Sequence, residues 1–145
     1  MIKEYATITV YCLITLILLG ISYSDIKSRI ISNKCIGILF PLVIALAWLN
    51  YETVFVLSAV VALVICFLLF TLKVMGGGDA KMISVLMLAL PNEQIISFVF
   101  FTALSGLVVV IIGLIFFRTA IREQGLPYGV AISCGFLINL LLIHL

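Results

Sequence analysis

The chain has 145 residues, of which 66% are hydrophobic and 10% charged, and its mean hydropathy is +1.45. That leaves too little polar surface to cover a soluble core, so the composition excludes a soluble domain and implies one integral membrane domain over residues 1–145. A net charge of +2 is too small to argue for nucleic acid as a partner.

The first apolar run covers residues 5–24. It is long enough to span ~30 Å of hydrocarbon at about 1.5 Å per residue. Lys27, Arg29 and Lys34 follow the run instead of preceding it, and no small-residue cleavage site comes before Asp25. The run therefore reads as a retained helix and not as a signal peptide. Residues 25–34 are the most polar segment of the chain. A second run, 35–49, is slightly short for a span, so its helix is expected to begin within the preceding loop. A tight turn at Asn50, Tyr51 and Glu52 leads to a third run, 54–72.

Lys73 then leads into Gly76-Gly77-Gly78-Asp79. The run after it, 82–90, is too short to cross alone but long enough if its helix starts near Asp79. Pro91 to Gln94 break it, 95–117 is a clear span, 118–127 is a polar loop, and 128–145 is a last span. Cys12, Cys35, Cys66 and Cys134 are scattered without a Cys-x-x-Cys pair. That spacing argues for small hydrophobes, against a metal site or a disulfide framework.

Charge decides the doubtful fourth span. With six crossings and the N-terminus outside, Lys27, Arg29, Lys34, Lys73, Lys81, Arg118 and Arg122 lie in cytoplasmic loops and only Lys3 lies outside. If 82–90 does not cross, Arg118 and Arg122 move outside. The positive-inside bias therefore favours an all-α bundle of about six transmembrane helices with both termini external. Asp25 and Asp79, the only aspartates, then lie at similar depth on the cytoplasmic side.

Taken singly, each aspartate has an ordinary reading. Asp25 beside Lys27 and Arg29 suits an interfacial ion pair, and Asp79 after three glycines suits a helix cap. Together they suit chemistry. Two carboxylates in close contact share one proton and titrate as a unit. The ionised one can take a proton from water while the other polarises a peptide carbonyl and then assists the leaving amine. Such hydrolysis needs no metal and no cofactor. The one histidine, His144, sits beside the C-terminus and reads as an interfacial ring. Ser84 with Lys81 has the i, i+3 spacing of a nucleophile and base, which is common. The glycine loop lacks the Gly-Lys-Ser/Thr ending of a phosphate loop.

These motifs resemble a known family. Asp25-x-Lys27-x-Arg29-x-Ile31-Ser32-Asn33 and Gly76-Gly77-Gly78-Asp79-Ala80-Lys81-Met82 resemble the two aspartate motifs of the type IV prepilin peptidases, which are Gly-x-Gly-Asp membrane aspartic peptidases. Leu126-Pro127-Tyr128-Gly129-Val130-Ala131 followed by Gly135 resembles the start of that family's last helix. Ser32 stands where the family usually has proline.

The resemblance implies an endopeptidase of the cytoplasmic (inner) membrane of a bacterium or archaeon. It would cut the basic leader from pilin-like precursors at the cytoplasmic face. Asp25 and Asp79 carry over as the catalytic pair, with Gly76, Gly77, Gly78 and Lys81 as the supporting loop. Lys27, Arg29, Asn33, Pro127, Tyr128 and Gly129 fall on the substrate side. The small size is similar to the short members of tight-adherence pilus systems. Larger members carry a cysteine-paired insert and also methylate the new N-terminus; without that insert, the resemblance carries no methylation.

The segment 125–135, with the small residues Ala131 and Gly135 at i, i+4, is expected to pack close to another helix near the substrate path. Two rival readings stand beside this one. A presenilin-like peptidase would bring more helices and a Pro-Ala-Leu motif where this chain has Pro127-Tyr128-Gly129. A proton- or cation-coupled transport or assembly subunit would use the two acids for ions.

Overall fold

The computed structural model describes residues 1–145 and contains seven α-helices and no strand. They are α1 (Ile2–Ser28), α2 (Asn33–Tyr51), α3 (Val56–Thr71), α4 (Gly77–Met87), α5 (Asn92–Phe116), α6 (Arg118–Gln124) and α7 (Tyr128–His144). By length and apolarity α1, α2 and α5 can each cross a membrane, and α6 with α7 makes a fourth candidate bent by 105°.

The ends of the helices follow local chemistry. α1 runs past the apolar stretch and stops at Arg29, whose left-handed φ of 56° turns the chain while its N–H bonds to the Asp25 carbonyl. α2 starts earlier than its apolar run because the Ser32 hydroxyl accepts the Lys34 N–H at 3.2 Å and so caps the helix at Asn33. α2 also carries Asn50 and Tyr51, so the turn comes at Glu52, again at φ 56°. Gly76 is the extended residue before α4, and Asp79 sits in that helix's first turn. A carboxylate is favoured there by the free amides and the positive end of the helix dipole.

The loop expected over 118–127 is partly helical: α6 folds back, with Ile121 resting where a side chain at Gly113 would stand. Gly125, at φ +82°, then makes the turn toward α7, a conformation that side chains other than glycine rarely adopt.

Four helices form the inner bundle. α1 packs on α2 and α7, and α4 packs on α2 and α7, while α3 lies outside against α4 and α5 outside against α7. The buried stripe of α1 is Ile14, Leu18, Ile21 and Asp25, at steps of four, three and four residues. Helical geometry puts such positions on one face. α4 buries Asp79, Met82 and Leu86 on the same rule, and α7 buries Gly129, Ser133, Phe136 and Leu140. Each aspartate is therefore the polar end of a core-facing apolar stripe. Leu39, Val43 and Leu46 of α2 complete the centre. The outward faces of α3 and α5 stay apolar and exposed, as at Leu57, Phe67, Val99 and Ile112, which suits lipid.

α5 and α7 come close because their facing residues are small. A Cβ on Gly135 would lie 2.7 Å from the backbone N and Cα of Thr102, and one on Gly106 would lie 3.7 Å from the Ala131 methyl. The expected close approach of Ala131 and Gly135 to another helix is thus present, and the helix is α5. Packing of this kind, with interhelical hydrogen bonds, holds helices together where lipid removes the hydrophobic drive.

Polar ties gather at one end of the bundle. Lys3 Nζ lies 3.3 Å from Glu52 Oε1, Asn50 Nδ2 donates to the Tyr11 hydroxyl at 2.8 Å, and that hydroxyl also meets His144 Nε2. Gln94 Nε2 donates to the Tyr51 hydroxyl at 2.8 Å, and Ser58 Oγ donates to Asn92 Oδ1 at 2.9 Å. These ties join the starts of α1, α3 and α5 to the ends of α2 and α7. The aspartates are at the opposite end.

Candidate active site

At that opposite end is a cavity of about 380 Å³. Asp25 of α1 and Asp79 of α4 both line it, together with Gly76, Gly77, Gly78, Arg29 and Tyr128. Only 5% of Asp25 and 8% of Asp79 is exposed, so neither is a solvated surface acid. The buried stripes explain why two residues 54 positions apart meet: α1 ends and α4 begins at the same level, each turning its stripe inward.

Glycine makes the approach possible at two points. The backbone N–H of Gly129, at the start of α7, donates to Asp25 Oδ2 at 2.7 Å. A Cβ on Gly129 would lie 2.9 Å from that oxygen. At Gly78, a Cβ would lie 3.0 Å from the Ile31 Cβ, so the glycine lets α4 sit directly on the chain that follows α1.

The ordinary reading of Asp25 as an ion pair does not hold. The two salt bridges of the chain, Met1–Glu4 and Lys3–Glu52, are both at the other end. Arg29 Nη1 donates to the main-chain carbonyls of Asp25 and Ile26, at 3.1 and 3.2 Å, and its Nε is buried without a partner. Lys27 turns outward, with Nζ 5.9 Å from the centre of the Tyr23 ring.

Not every expected site residue reaches the cavity. Lys81 Nζ bonds to Asn33 Oδ1 at 3.2 Å, and this pair ties α4 to α2 outside the cavity lining. Pro127 lines the neighbouring clefts instead. Four further residues, Ile30, Ile31, Gln124 and Leu126, line the cavity with Gly125 and were not singled out for it from the sequence. Gln124 ends α6, so its place depends on a helix that the sequence read as loop.

The competing nucleophile and base are each engaged elsewhere. Ser84 Oγ donates to the Ala80 carbonyl at 2.7 Å, while Lys81 is engaged with Asn33. His144 lies with Tyr11 at the far end, and the four cysteines are free thiols.

Comparison with known proteins gives the family. The profile described as the type IV leader peptidase family matches residues 12–111, a segment that contains both Asp25 and Asp79. The chain belongs to this family, and so to the peptidases, whose substrates are proteins. Neither a curated protein nor a solved structure matches it significantly. The matched segment ends within α5, so the contribution of Tyr128 and Gly129 is seen in the fold alone.

Proposed function

We propose that the chain is a membrane aspartic endopeptidase that removes the basic leader from type IV pilin-like precursors, with Asp25 and Asp79 as its acid–base pair. The observation that carries this reading is the shared cavity of the two aspartates, both buried and neither held in a salt bridge. One such pair suffices for hydrolysis. Asp25, whose Oδ2 accepts the Gly129 N–H, is the member suited to carry charge and take a proton from water. The resulting hydroxide adds to the scissile carbonyl carbon as Asp79, holding the shared proton, gives it to the carbonyl oxygen. Collapse of the gem-diol adduct breaks the C–N bond: the proton on Asp25 passes to the leaving amine, and one hydroxyl proton of the diol returns to Asp79, which restores the singly protonated pair.

The chain is one domain that crosses the cytoplasmic membrane six times, with both termini outside and the aspartates on the cytoplasmic side. Two observations support this topology. The polar ties bring together the element ends that an alternating six-crossing path would place outside. Seven of the eight Lys and Arg residues fall on the aspartate side of such a path. α4, with 11 residues, extends its crossing through the buried turn at Leu88, Ala89 and Leu90.

The test is direct. Purified protein in detergent, incubated with a precursor carrying a basic leader, a glycine and an apolar stem, should release the leader by a cut just after the glycine. An intact precursor after long incubation with folded protein would refute the reading.

A further inference from the structure

Between α1 and α2 the chain passes through Ile30, Ile31 and Ser32 outside either helix. Ser32 is extended, at φ −65° and ψ 130°. The carbonyls on either side of Ile31 are used within the protein. That of Ile30 accepts the Ser24 hydroxyl at 2.9 Å, and that of Ser32 accepts the Ile36 N–H at 3.2 Å. The N–H and the C=O of Ile31 bond to no group of the chain. Main-chain groups without a partner are rare in folded chains, because each one shielded from water costs about as much as a lost hydrogen bond.

Ile31 lines the cavity of Asp25 and Asp79, and no other residue of that lining has both groups free. The Gly76 carbonyl holds the Ala80 N–H, the Gly125 N–H is bonded to the Ile121 carbonyl, and the Leu126 carbonyl holds the Tyr128 N–H. The side chain of Ile31 fixes where its free groups stand. A Cβ on Gly78 would lie 3.0 Å from Ile31 Cβ, and one on Gly129 would lie 3.2 Å from Ile31 Cδ1. Gly78 precedes Asp79, and the Gly129 N–H holds Asp25. Ile31 is thus wedged between the two glycines that adjoin the aspartates. A peptide bonded to its main chain is held in register with both carboxylates.

A free N–H and a free C=O on one residue form the bonding unit of a strand edge. An extended peptide satisfies both at once. A helical one does not, because its own ladder already uses its amides and carbonyls.

We infer that the main chain of Ile31 pairs with the segment to be cut, as one strand adds to another. Its N–H donates to a substrate carbonyl, and its C=O accepts a substrate N–H. This inference rests on the peptidase reading above. It adds the residue that positions the scissile bond and a mode of recognition that reads the substrate's backbone and requires it unwound.

The experiment removes one N–H at a time by exchanging an amide for an ester, which keeps the side chain. Cell-free synthesis into nanodiscs of phosphatidylethanolamine and phosphatidylglycerol places the α-hydroxy analogue of isoleucine at position 31. A control places that of valine at position 54, whose N–H is also unbonded but lies before α3, at the far end. Synthetic precursors carry an ester at one of the positions on either side of the scissile bond, with the scissile amide kept. The ester at 31 should lower kcat/KM for the all-amide precursor about fivefold, the size of one hydrogen bond. Its unfolding midpoint should hold, since this N–H bonds to nothing in the free protein. The ester at 54 should change neither. On the wild-type enzyme at least one substrate ester should cost a similar factor. On the enzyme with the ester at 31 that same substrate should lose nothing more, because both exchanges break one bond. An amide with a merely structural role would not couple to the substrate's backbone.

Wild-type kcat/KM with the ester at 31, or losses that add in full at every sensitive substrate position, would each overturn the inference. Should the protein with the ester at 31 fail to fold, the scan of the wild-type enzyme decides, and a sensitive position beside the scissile bond is the expected result. Wild-type protein that cleaves the all-amide precursor and every ester precursor equally well would sink the pairing and spare the peptidase reading. Wild-type protein that cuts no precursor would remove both.

Discussion

The amide of Gly129 donates to Oδ2 of Asp25 at 2.7 Å, joining two residues 104 positions apart. This bond fixes the first aspartate from the last helix, and it exists because residue 129 has no side chain. A methyl group there would stand 2.9 Å from the carboxylate oxygen and 3.2 Å from Ile31 Cδ1. Gly129→Ala should therefore displace Asp25 and lower kcat/KM by about 10²-fold, the scale of a ~1 Å misplacement of a reacting group. Cleavage kinetics beside a thermal unfolding midpoint would check this. Wild-type turnover in the variant would show that the contact has no part in catalysis.

Asp25→Asn and Asp79→Asn should each abolish cleavage, and the double variant should be no worse than either single one. Groups that act as a unit are lost together. Each asparagine keeps the shape of the carboxylate, so yield and helicity should hold. Leader release, followed by gel shift, is the measurement. Substantial cleavage by one single variant would exclude an acid–base pair.

The pair requires one proton between two carboxylates. Below its lower apparent pKa both are protonated and no base is left; above the upper one both are ionised and no acid is left. The pH–rate profile should thus be bell-shaped, falling on both sides of its maximum. Kcat/KM measured across the acidic and neutral range gives the test, and a flat profile would point to other chemistry.

Gly135→Leu should destabilise the fold. Its Cβ would lie 2.7 Å from the Thr102 backbone, which cannot move as a side-chain tip can. Overpacking of this kind costs about 1–3 kcal/mol, or more where the backbone must shift. The loss should appear as a lower unfolding midpoint in detergent. Gly135→Ala should lose less, and a midpoint unchanged in both variants would contradict the close packing of α5 on α7.

Single cysteines test the topology, after the four native ones are replaced by serine. Glu52→Cys and Glu93→Cys should react with a membrane-impermeant maleimide added to whole cells. Lys73→Cys should react only after permeabilisation. Labelling of all three from the outside would exclude six crossings.

The apolar runs were legible because a membrane helix must satisfy its own backbone bonds, so hydropathy and helix coincide over most of α1, α2, α3, α5 and α7. The two aspartates were legible because acids at the edges of such runs are costly and rare. The amide of Gly129 was not, since every residue has an amide and only the fold brings this one to Asp25. α6 was missed because seven residues, Arg118 to Gln124, are too few for apolar periodicity to declare a helix; it is held by Ile121 against Gly113. The sequence also drew Lys81 toward the cavity by its nearness to Asp79. Helical rotation carries it two residues on to a different face, where it meets Asn33.

The uneven placing of the interhelical ties gives the bundle a mechanical character. Six side-chain bonds, with that of Ser97 Oγ to Asn139 Oδ1 among them, clasp the helices toward the end that holds Lys3, Tyr11 and Tyr51. At the aspartate end only Gly129 to Asp25 and Lys81 to Asn33 bridge separate helices. Each interhelical bond in a membrane contributes about 0.6 kcal/mol on average, so the two ends differ in stiffness. The molecule is built like a clothes-peg, sprung at one end and free to part at the other, and its jaws are the two carboxylates.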